Sequence, residues 1–411
     1  MITKGQRVTV MGLGRFGGGL GVSQWLLDQG AKVVLTDLAT EEELSDQIEL
    51  IKHHKNISLV LGEHRNEDFT NTDLVIANPA VSQPWNNPFL QVAWESDVKV
   101  STEIELVTQQ LSPTQVIGVT GTSGKSTTVS MIHAGLEASG VRSHIGGNIG
   151  GSLLQSIADI DENDIVVLEL SSAMLWWLEK AGGWSPHIAV LTNVEENHVD
   201  WHGTFEEYSR CKELLFACQS ESDIALTQDS DATFSGLRVV GKHNERNAAI
   251  AFLAAIAMNA EPELVRRGIQ NFRGLPHRLQ EVGEGYYNDS KSTTPQATVL
   301  AIDAFADASK VHVIVGGYDK KIDLSLLAKQ ADRVGGMYAI GETAQKIESL
   351  ANDNVHICKT LECAVSTAQQ FIKQDDILLL SPGCASWDQF ENFEKRGELF
   401  CELTSCSSSH Q

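Results

Sequence analysis

The chain is 411 residues long, 42% hydrophobic with 34 glycines, and carries 31 Lys and Arg against 54 Asp and Glu, a net charge of 31 − 54 = −23. That length holds about two to four domains, and a composition about half apolar excludes wholesale disorder. The charge excludes a general nucleic-acid or anionic-membrane binder, since both need a basic footprint.

An anionic ligand must then be held by local devices: helix N-termini, glycine loops, metal ions and a few placed cations. Seven cysteines, none before Cys211 and none in CxxC spacing, favour reduced thiols over a disulfide framework or zinc knuckle. Residues 1–6 lack the basic-then-apolar pattern of a signal peptide. No apolar run reaches the ~18–20 residues of a membrane span. A cytoplasmic protein without nucleic-acid or membrane partners is expected.

Residues 7–11 (RVTVM) read as a strand ending in a glycine turn, followed by a helix through 25–29 and a strand at 32–36 closed by Asp37. An acidic helix is predicted at 41–53, strands at 58–61 and 73–77, a proline-rich loop at 78–89 and a helix at 102–111. Helix and strand in alternation predict a parallel sheet covered by helices. Ser112-Pro113 reads as a junction, followed by a strand at 115–120, a glycine loop, a helix at 126–139, strands at 164–170 and 187–192, and a long helix at 244–258. A third block begins near 275, with strands around 280–288, at 310–315, 337–341 and 377–381, and helices at 324–331 and 343–351. The Ser-rich tail 404–411 is expected to fray. The result is an α/β chain of three blocks, divided as 1–110, 111–275 and 276–411.

The strongest local signal is Gly121-Thr122-Ser123-Gly124-Lys125-Ser126-Thr127 after the strand VIGVT. Glycines let backbone amides point at phosphate oxygens, and the helix that follows adds its positive dipole end. Lys125 would reach the β/γ-phosphates, and the Ser126 hydroxyl would ligate Mg²⁺. The usual pattern has a glycine five residues before Gly124; here that position is Val119, and the glycines stand at 118, 121 and 124. The first loop, Gly12-Leu13-Gly14-Arg15-Phe16-Gly17, fits GxGxxG, with Asp37 20 residues beyond Gly17. Dinucleotide folds keep a ribose-binding acid there, although the same loop can hold any diphosphate-linked nucleotide or be a tight turn. Glu169 closes the strand DIVVLEL, where a nucleotide-bound Mg²⁺ needs a carboxylate. His198, in TNVEENHVD after the strand HIAVL, is a candidate metal ligand. Arg278, Asp289 and Lys291 gather two cations and an acid near a hinge. GGYDK at 316–320 and LSPGCASWDQF at 380–390, followed by Phe393 and Arg396-Gly397, complete the set.

These clusters, in this order, resemble the Mur ligase family, the ATP-dependent amide ligases of peptidoglycan precursor synthesis. GTSGKST resembles the family's GT(N)GK(S/T)T. GLPHR, NDSK-x-T and LSPxCAS-x-D-x-F-xx-F-xx-RG resemble the members that add D-glutamate to UDP-N-acetylmuramoyl-L-alanine. The resemblance implies a Rossmann-like N-terminal domain binding the UDP-sugar. A central P-loop ATPase-type domain with a mostly parallel sheet would bind ATP, and a C-terminal Rossmann-like domain the amino acid. It assigns Gly121, Thr122, Gly124, Lys125, Ser126 and Thr127 to the ATP phosphates. Ser126, Glu169, His198 and Lys212, the last as a carbamylated lysine, would serve Mg²⁺. Asn148 would bind substrate, and His243-Asn244 and Asn247 would lie on the adenine side. Arg278 and Asp289 would hold phosphate and ribose. Lys291, Thr293, Lys320, Ser386, Trp387 and Phe393 would surround the glutamate, and Leu13, Gly14 and Asp37 the uridine diphosphate. Lys125, His198, Lys212 and Lys291 form the catalytic set.

The expected cofactors are ATP and Mg²⁺, the small-molecule partners UDP-N-acetylmuramoyl-L-alanine and glutamate, and the state a monomer. The chain departs from the family pattern at Asn197, at Ala173-Met174 and at Leu38-Ala39, which leaves the acceptor's stereochemistry and the uridine contacts open. The alternatives are a paralogous ligase adding another amino acid such as L-glutamate, a folylpolyglutamate-synthase-like ligase, an NAD-binding oxidoreductase or sensor using GLGRFG, and a non-catalytic nucleotide-binding protein.

Overall fold

A computed structural model describes residues 2–13, 18–195, 199–227 and 234–405. Three sheets follow one another along the chain. The first holds β1 (Arg7–Met11), β2 (Lys32–Asp37), β3 (Ile57–Leu61), β4 (Leu74–Ala77) and β5 (Lys99–Ser101), all parallel, in the order β3-β2-β1-β4-β5. The order reverses between β1 and β4, which opens a crevice at their carboxyl ends. Gly12 (φ +93°) turns the chain there, and a Cβ on Gly19 would stand 2.0 Å from the Gly12 carbonyl oxygen. Helix Gly18–Asp28 can therefore approach β1 this closely only with glycine at that position.

The second sheet holds β6 (Val116–Thr120), β7 (Ser143–Gly147), β8 (Ile165–Glu169), β9 (Ile188–Leu191) and β10 (Ile224–Thr227), again parallel, in the order β10-β9-β6-β8-β7. Strands β6 and β8 are buried along their whole length, as a parallel sheet covered on both faces requires. The third holds β11 (Gln280–Gly283), β12 (Tyr286–Asn288), β13 (Val311–Gly316), β14 (Gly336–Ile340), β15 (Val355–Lys359) and β16 (Ile377–Leu380), in the order β11-β12-β16-β13-β14-β15. Only β11 is antiparallel, as half of a hairpin with β12.

Packing divides the chain into two compact units, Met1–Thr233 with Arg246–Ile269, and Phe234–Glu245 with Gln270–Gln411. The first two sheets share one unit because one apolar core runs through both. Ile104, Val107 and Leu111 cluster with Val10 and Leu35 on one side and with Leu154, Leu168 and Leu175 on the other.

The long acidic helix expected at 41–53 is only Ser45–Glu49, flanked by turns. Leu44, Ile48 and Ile51 are buried at helical spacing, so the periodicity was real but the regular stretch is short. The helix expected at 324–331 is Ser325–Ala328 continued by a 3₁₀ turn over Lys329–Asp332. The proline-rich loop ends earlier than its composition suggests. Pro88 opens helix Pro88–Glu95, and Asn87 Oδ1 accepts from the Phe89 and Leu90 amides. Proline suits a first helical turn, whose amides lack intrahelical partners. Thr404 and Ser405 belong to helix Phe393–Ser405 rather than to a frayed tail, and Thr404 is buried.

Candidate active site

The glycine loop links β6, the central strand of the second sheet, to helix Lys125–Ala138. Gly121 (φ +149°) and Gly124 (φ +79°) lie in the region that favours glycine. A Cβ on Gly121 would stand 1.9 Å from Thr192 Oγ1, and one on Gly124 would stand 2.6 Å from Asn247 Oδ1. The loop thus has no room for side chains at either turn.

The remaining loop contacts fix its shape. Asn193 Oδ1 accepts from the Thr122 amide (3.1 Å) and the Ser123 amide (2.8 Å). The Tyr208 hydroxyl donates to Thr122 Oγ1 (2.9 Å). Ser126 and Thr127 occupy the first helical turn, whose amides have no acceptor within the helix. Neither Asn193 nor Tyr208 was assigned a role from sequence. Tyr208 was discoverable, since it stands four residues before Lys212 on helix Phe205–Glu213 and so shares its face.

Two lysines converge on one carbonyl. Lys125 Nζ donates to Gly121 O (2.9 Å) and Thr122 O (3.0 Å), and Lys212 Nζ donates to the same Gly121 O (2.8 Å). Lys212 is 1% exposed, and its Nζ lies 4.5 Å over the Tyr208 ring. Burial first, and the neighbouring Lys125 charge second, bring its pKa down to about 7. A lysine ammonium at the mouth of a glycine loop, with a second lysine amine beside it, suits a polyanion.

Glu169 ends β8 in register with Val119, beside the loop. It is 2% exposed; Oε1 accepts from Asn148 Nδ2 (2.9 Å), and buried Oε2 has no hydrogen-bond partner. A buried carboxylate oxygen left without a donor suits a hard cation. Glu169 and the Ser126 hydroxyl are oxygen donors of the kind Mg²⁺ takes, and they would hold it. His198 and Gly14 lie outside the described residues. Among those described, no group of three or more His, Cys, Asp or Glu side chains could hold a metal.

In the first sheet, Asp37 anchors backbone: Oδ2 accepts from the Leu13 amide and Oδ1 from the Ala39 amide, both at 2.8 Å. Leu13 is fully buried in the core, so only its backbone can face a ligand. Asn78, at the end of β4, faces Gly12 across the crevice, 3.4 Å from where a Cβ would be.

In the third sheet the chain order reverses between β13 and β16, and the loops after these strands carry Lys320, Ser386 and Trp387. Tyr318 N donates to Ala385 O (2.9 Å), joining the two loops. Lys320 Nζ lies 5.4 Å over the ring of Trp387, which is 63% exposed, while Ser386 is buried. Lys291 Nζ lies 4.9 Å over the Phe393 ring. Thr293 is half-buried and Arg278 exposed. Asn244 Nδ2 donates to Val240 O (2.7 Å), three positions before Asn247 on helix Lys242–Ala257.

Arg396 had been noticed only as part of a motif. It is fully buried, and it donates from Nε to Ser290 Oγ (3.0 Å), from Nη1 to Cys384 O and Ala385 O (3.2 Å each), and from Nη2 to Ser290 O (2.9 Å) and Cys384 O (3.2 Å). One guanidinium thereby ties the loop after β12 to the loop after β16. Burial brings its pKa down to about 10.

Asp289 is 5% exposed; Oδ1 accepts from the Leu279 amide (3.1 Å) and Oδ2 from Ser381 Oγ (2.7 Å). Burial raises its pKa to about 6. Above that pH the fold carries a buried charge that the unfolded chain exposes freely. Asp289→Asn keeps an acceptor for Leu279 and offers Ser381 a donor. The variant should melt higher than the parent at pH 8, and the gap should narrow as pH falls from about 6 to 4, in thermal unfolding followed by circular dichroism.

Three family models match in chain order: Mur ligase MurD-like, N-terminal domain, over residues 6–102; Mur ligase middle domain, over 119–239; and Mur ligase, glutamate ligase domain, over 277–384. Among curated relatives, the UDP-N-acetylmuramoylalanine–D-glutamate ligase of Koribacter versatilis is 33% identical over 98% of both chains. The protein of the same name from Desulfatibacillum aliphaticivorans is 33% identical over 98% of this chain and 99% of its own. Among solved structures, the UDP-N-acetylmuramate-alanine ligase of Thermotoga maritima superposes with a TM-score of 0.58 at 18% identity, covering 98% of this chain and 100% of that one. A MurF ligase from the same organism, in complex with ADP, gives 0.55 at 16% identity, over 98% and 96%. Full-length identity of this order, with all three models matched in sequence, places the chain in the Mur ligase family.

Proposed function

We propose that this protein is an ATP-dependent amide ligase that joins D-glutamate to UDP-N-acetylmuramoyl-L-alanine in peptidoglycan precursor synthesis. The observation that carries the reading is the convergence of Lys125 and Lys212 on Gly121 O, with Glu169, whose Oε2 is unpartnered, ending the neighbouring strand. The three-domain division at about 110 and 275, cytoplasmic location and a monomeric state belong to the same reading. The described residues include no helix long and apolar enough to cross a membrane.

A carboxylate resists nucleophilic attack, because its charge repels the amine and oxide is a poor leaving group. Phosphoryl transfer from ATP to the alanyl carboxylate gives an acyl phosphate. The glutamate amine adds to its carbonyl carbon, a tetrahedral intermediate forms, and phosphate leaves with the bonding electrons as the amine loses its proton. Lys125 and the helix N-terminus offset charge on the transferring group, and the glycine loop orients it in line. Glu169 and Ser126 would hold Mg²⁺, which supplies further charge neutralisation on the phosphates. Asp37 shapes the first-sheet loop that takes the uridine diphosphate, with Leu13 and Gly14 contributing backbone. Lys291, Lys320 and Ser386 would meet the two carboxylates of glutamate, and Thr293, Trp387 and Phe393 would frame them. Arg278 and Asp289 would serve the nucleotide, as would Asn244 and Asn247; Asn148 would face substrate, and His198 would complete the metal side.

Phosphate release with Mg·ATP, UDP-N-acetylmuramoyl-L-alanine and either glutamate isomer tests the reading. Release dependent on D-glutamate is expected. Release with neither isomer overturns the ligase assignment, and release with L-glutamate alone transfers it to a paralogous specificity.

Lys212 is suited to carbamylation, because only a neutral amine adds CO₂. With a pKa near 7, about half of it is neutral at pH 7, against well under a thousandth for an ordinary lysine. The product is an anion able to support Mg²⁺. Lys212→Ala should lower turnover about 10²–10³-fold, with partial rescue by acetate or formate. Full activity in that variant would remove the carbamate from the mechanism. In the parent, activity should fall as pH drops from 8 to 6, since the neutral fraction of Lys212 shrinks.

A further inference from the structure

A cavity of about 580 Å³ in the N-terminal compact unit is walled by the indoles of Trp85, Trp94, Trp176 and Trp177, with exposed Lys180 also lining it. Trp176 and Trp177 meet at right angles (5.0 Å, 89°), Trp85 lies 5.4 Å from Trp176, and Trp94 lies 6.4 Å from Trp177. The result is an aromatic corner, and its volume is that of a small-molecule site. His202 and Glu207 also line it; among the described residues, the glycine loop, Glu169 and Lys212 do not.

Its polar groups are unevenly used. Trp177 is 3% exposed, and its buried Nε1 has no hydrogen-bond partner. Trp201, edge-on to Trp176 at 5.9 Å, likewise has a buried, unpartnered Nε1. Buried donors without acceptors are rare in folded proteins and call for a physical cause. Lys180 Nζ lies 5.3 Å over the Trp176 face, and it makes no ion pair among the described residues. The nearby acids are already neutralised: Arg210 bridges Glu207 (2.8 Å) and Glu179 (2.7 and 3.0 Å). Both indole donors are shielded from the cavity, so the exposed Lys180 ammonium is the donor left to meet a guest at these flat apolar walls. A cationic guest, the other occupant that tryptophan cages favour, would meet Lys180 and find no free carboxylate.

We propose that this cavity is a second ligand site, for a planar aromatic anion whose ring lies between the tryptophans and whose carboxylate meets Lys180. The site is separate from the machinery of the ligase reaction, so its test does not depend on that reading. Full-length protein is titrated with 2-naphthoate, with 2-naphthamide and 2-naphthylmethylammonium as neutral and cationic counterparts. Binding is followed by quenching of tryptophan fluorescence and by calorimetry. The expected result is one saturable site at micromolar to sub-millimolar concentration, at least tenfold tighter for the anion. Lys180→Gln should erase that preference, and Trp94→Ser, at a position 38% exposed, should weaken all three probes. Saturating ATP or UDP-N-acetylmuramoyl-L-alanine should leave binding unchanged. Unsaturable binding, equal affinity for the three probes, preference for the cation, or indifference to both substitutions overturns the proposal. Displacement by either substrate also overturns it, by giving the cavity to the ligase site.

Discussion

Lys125→Met should reduce turnover by about a thousandfold or more while leaving the fold intact. The ammonium is one of two lysine side chains converging on Gly121 O, and methionine fills its volume without its charge. In the folded state the substitution removes one donor to Gly121 O and Thr122 O. The stability change should therefore stay within about 1 kcal/mol. A second readout separates lost charge from a disordered loop. The Lys125 charge contributes to the depressed pKa of Lys212. Its removal should raise that pKa, seen as slower acylation of Lys212 at pH 7 by a limiting anhydride, measured by mass spectrometry. Normal turnover in Lys125→Met would take the glycine loop out of the mechanism.

Arg396→Met should be the most destabilising single change in the C-terminal unit, at about 3–5 kcal/mol. Three carbonyls, Ser290 O, Cys384 O and Ala385 O, lose their guanidinium donors inside the protein. Lysine should recover little, since a single ammonium cannot span groups that a planar fork reaches from both edges. Thermal unfolding would show the loss. Hydrogen exchange should locate it in residues 288–292 and 384–386, where protection should fall first. In Arg396→Lys, assayed well below its melting range, KM for the amino acid should rise more than kcat falls, because the residue positions loops and touches no reacting atom. Wild-type melting in Arg396→Met would show that the loops are held by something else.

Much of the candidate site could be read locally. A glycine loop between an apolar strand and a helix has few physical meanings, and GTSGKST sits in that context. The strand ends at Glu169 and Asp37 were likewise legible, because an acid after an apolar run marks the carboxyl edge of a parallel sheet. Local pattern was a poorer guide to helix length. The acidic stretch 41–53 predicts a helix far longer than the Ser45–Glu49 that forms, although Leu44, Ile48 and Ile51 are buried at helical spacing. Three prolines hid the start of Pro88–Glu95, since proline both interrupts helices and opens them.

By itself the sequence determined the α/β class, the glycine loop between strand and helix, and the residues able to carry charge on a chain of net −23, because these depend on residue type and short spacing. Only the tertiary structure decided which of those charges are altered by their surroundings. Lys212 lies 91 residues from Gly121, and its lowered pKa comes from burial and from Lys125. Arg396 meets Ser290 across 106 residues, and no local spacing marks it as the tie between two loops. The tryptophan cavity brings Trp85 from a 3₁₀ turn and Trp94 from helix Pro88–Glu95 against Trp176 and Trp177 of helix Ser172–Lys180. Burial and proximity belong to the folded chain, and they set the strength of each charge and the use of each donor.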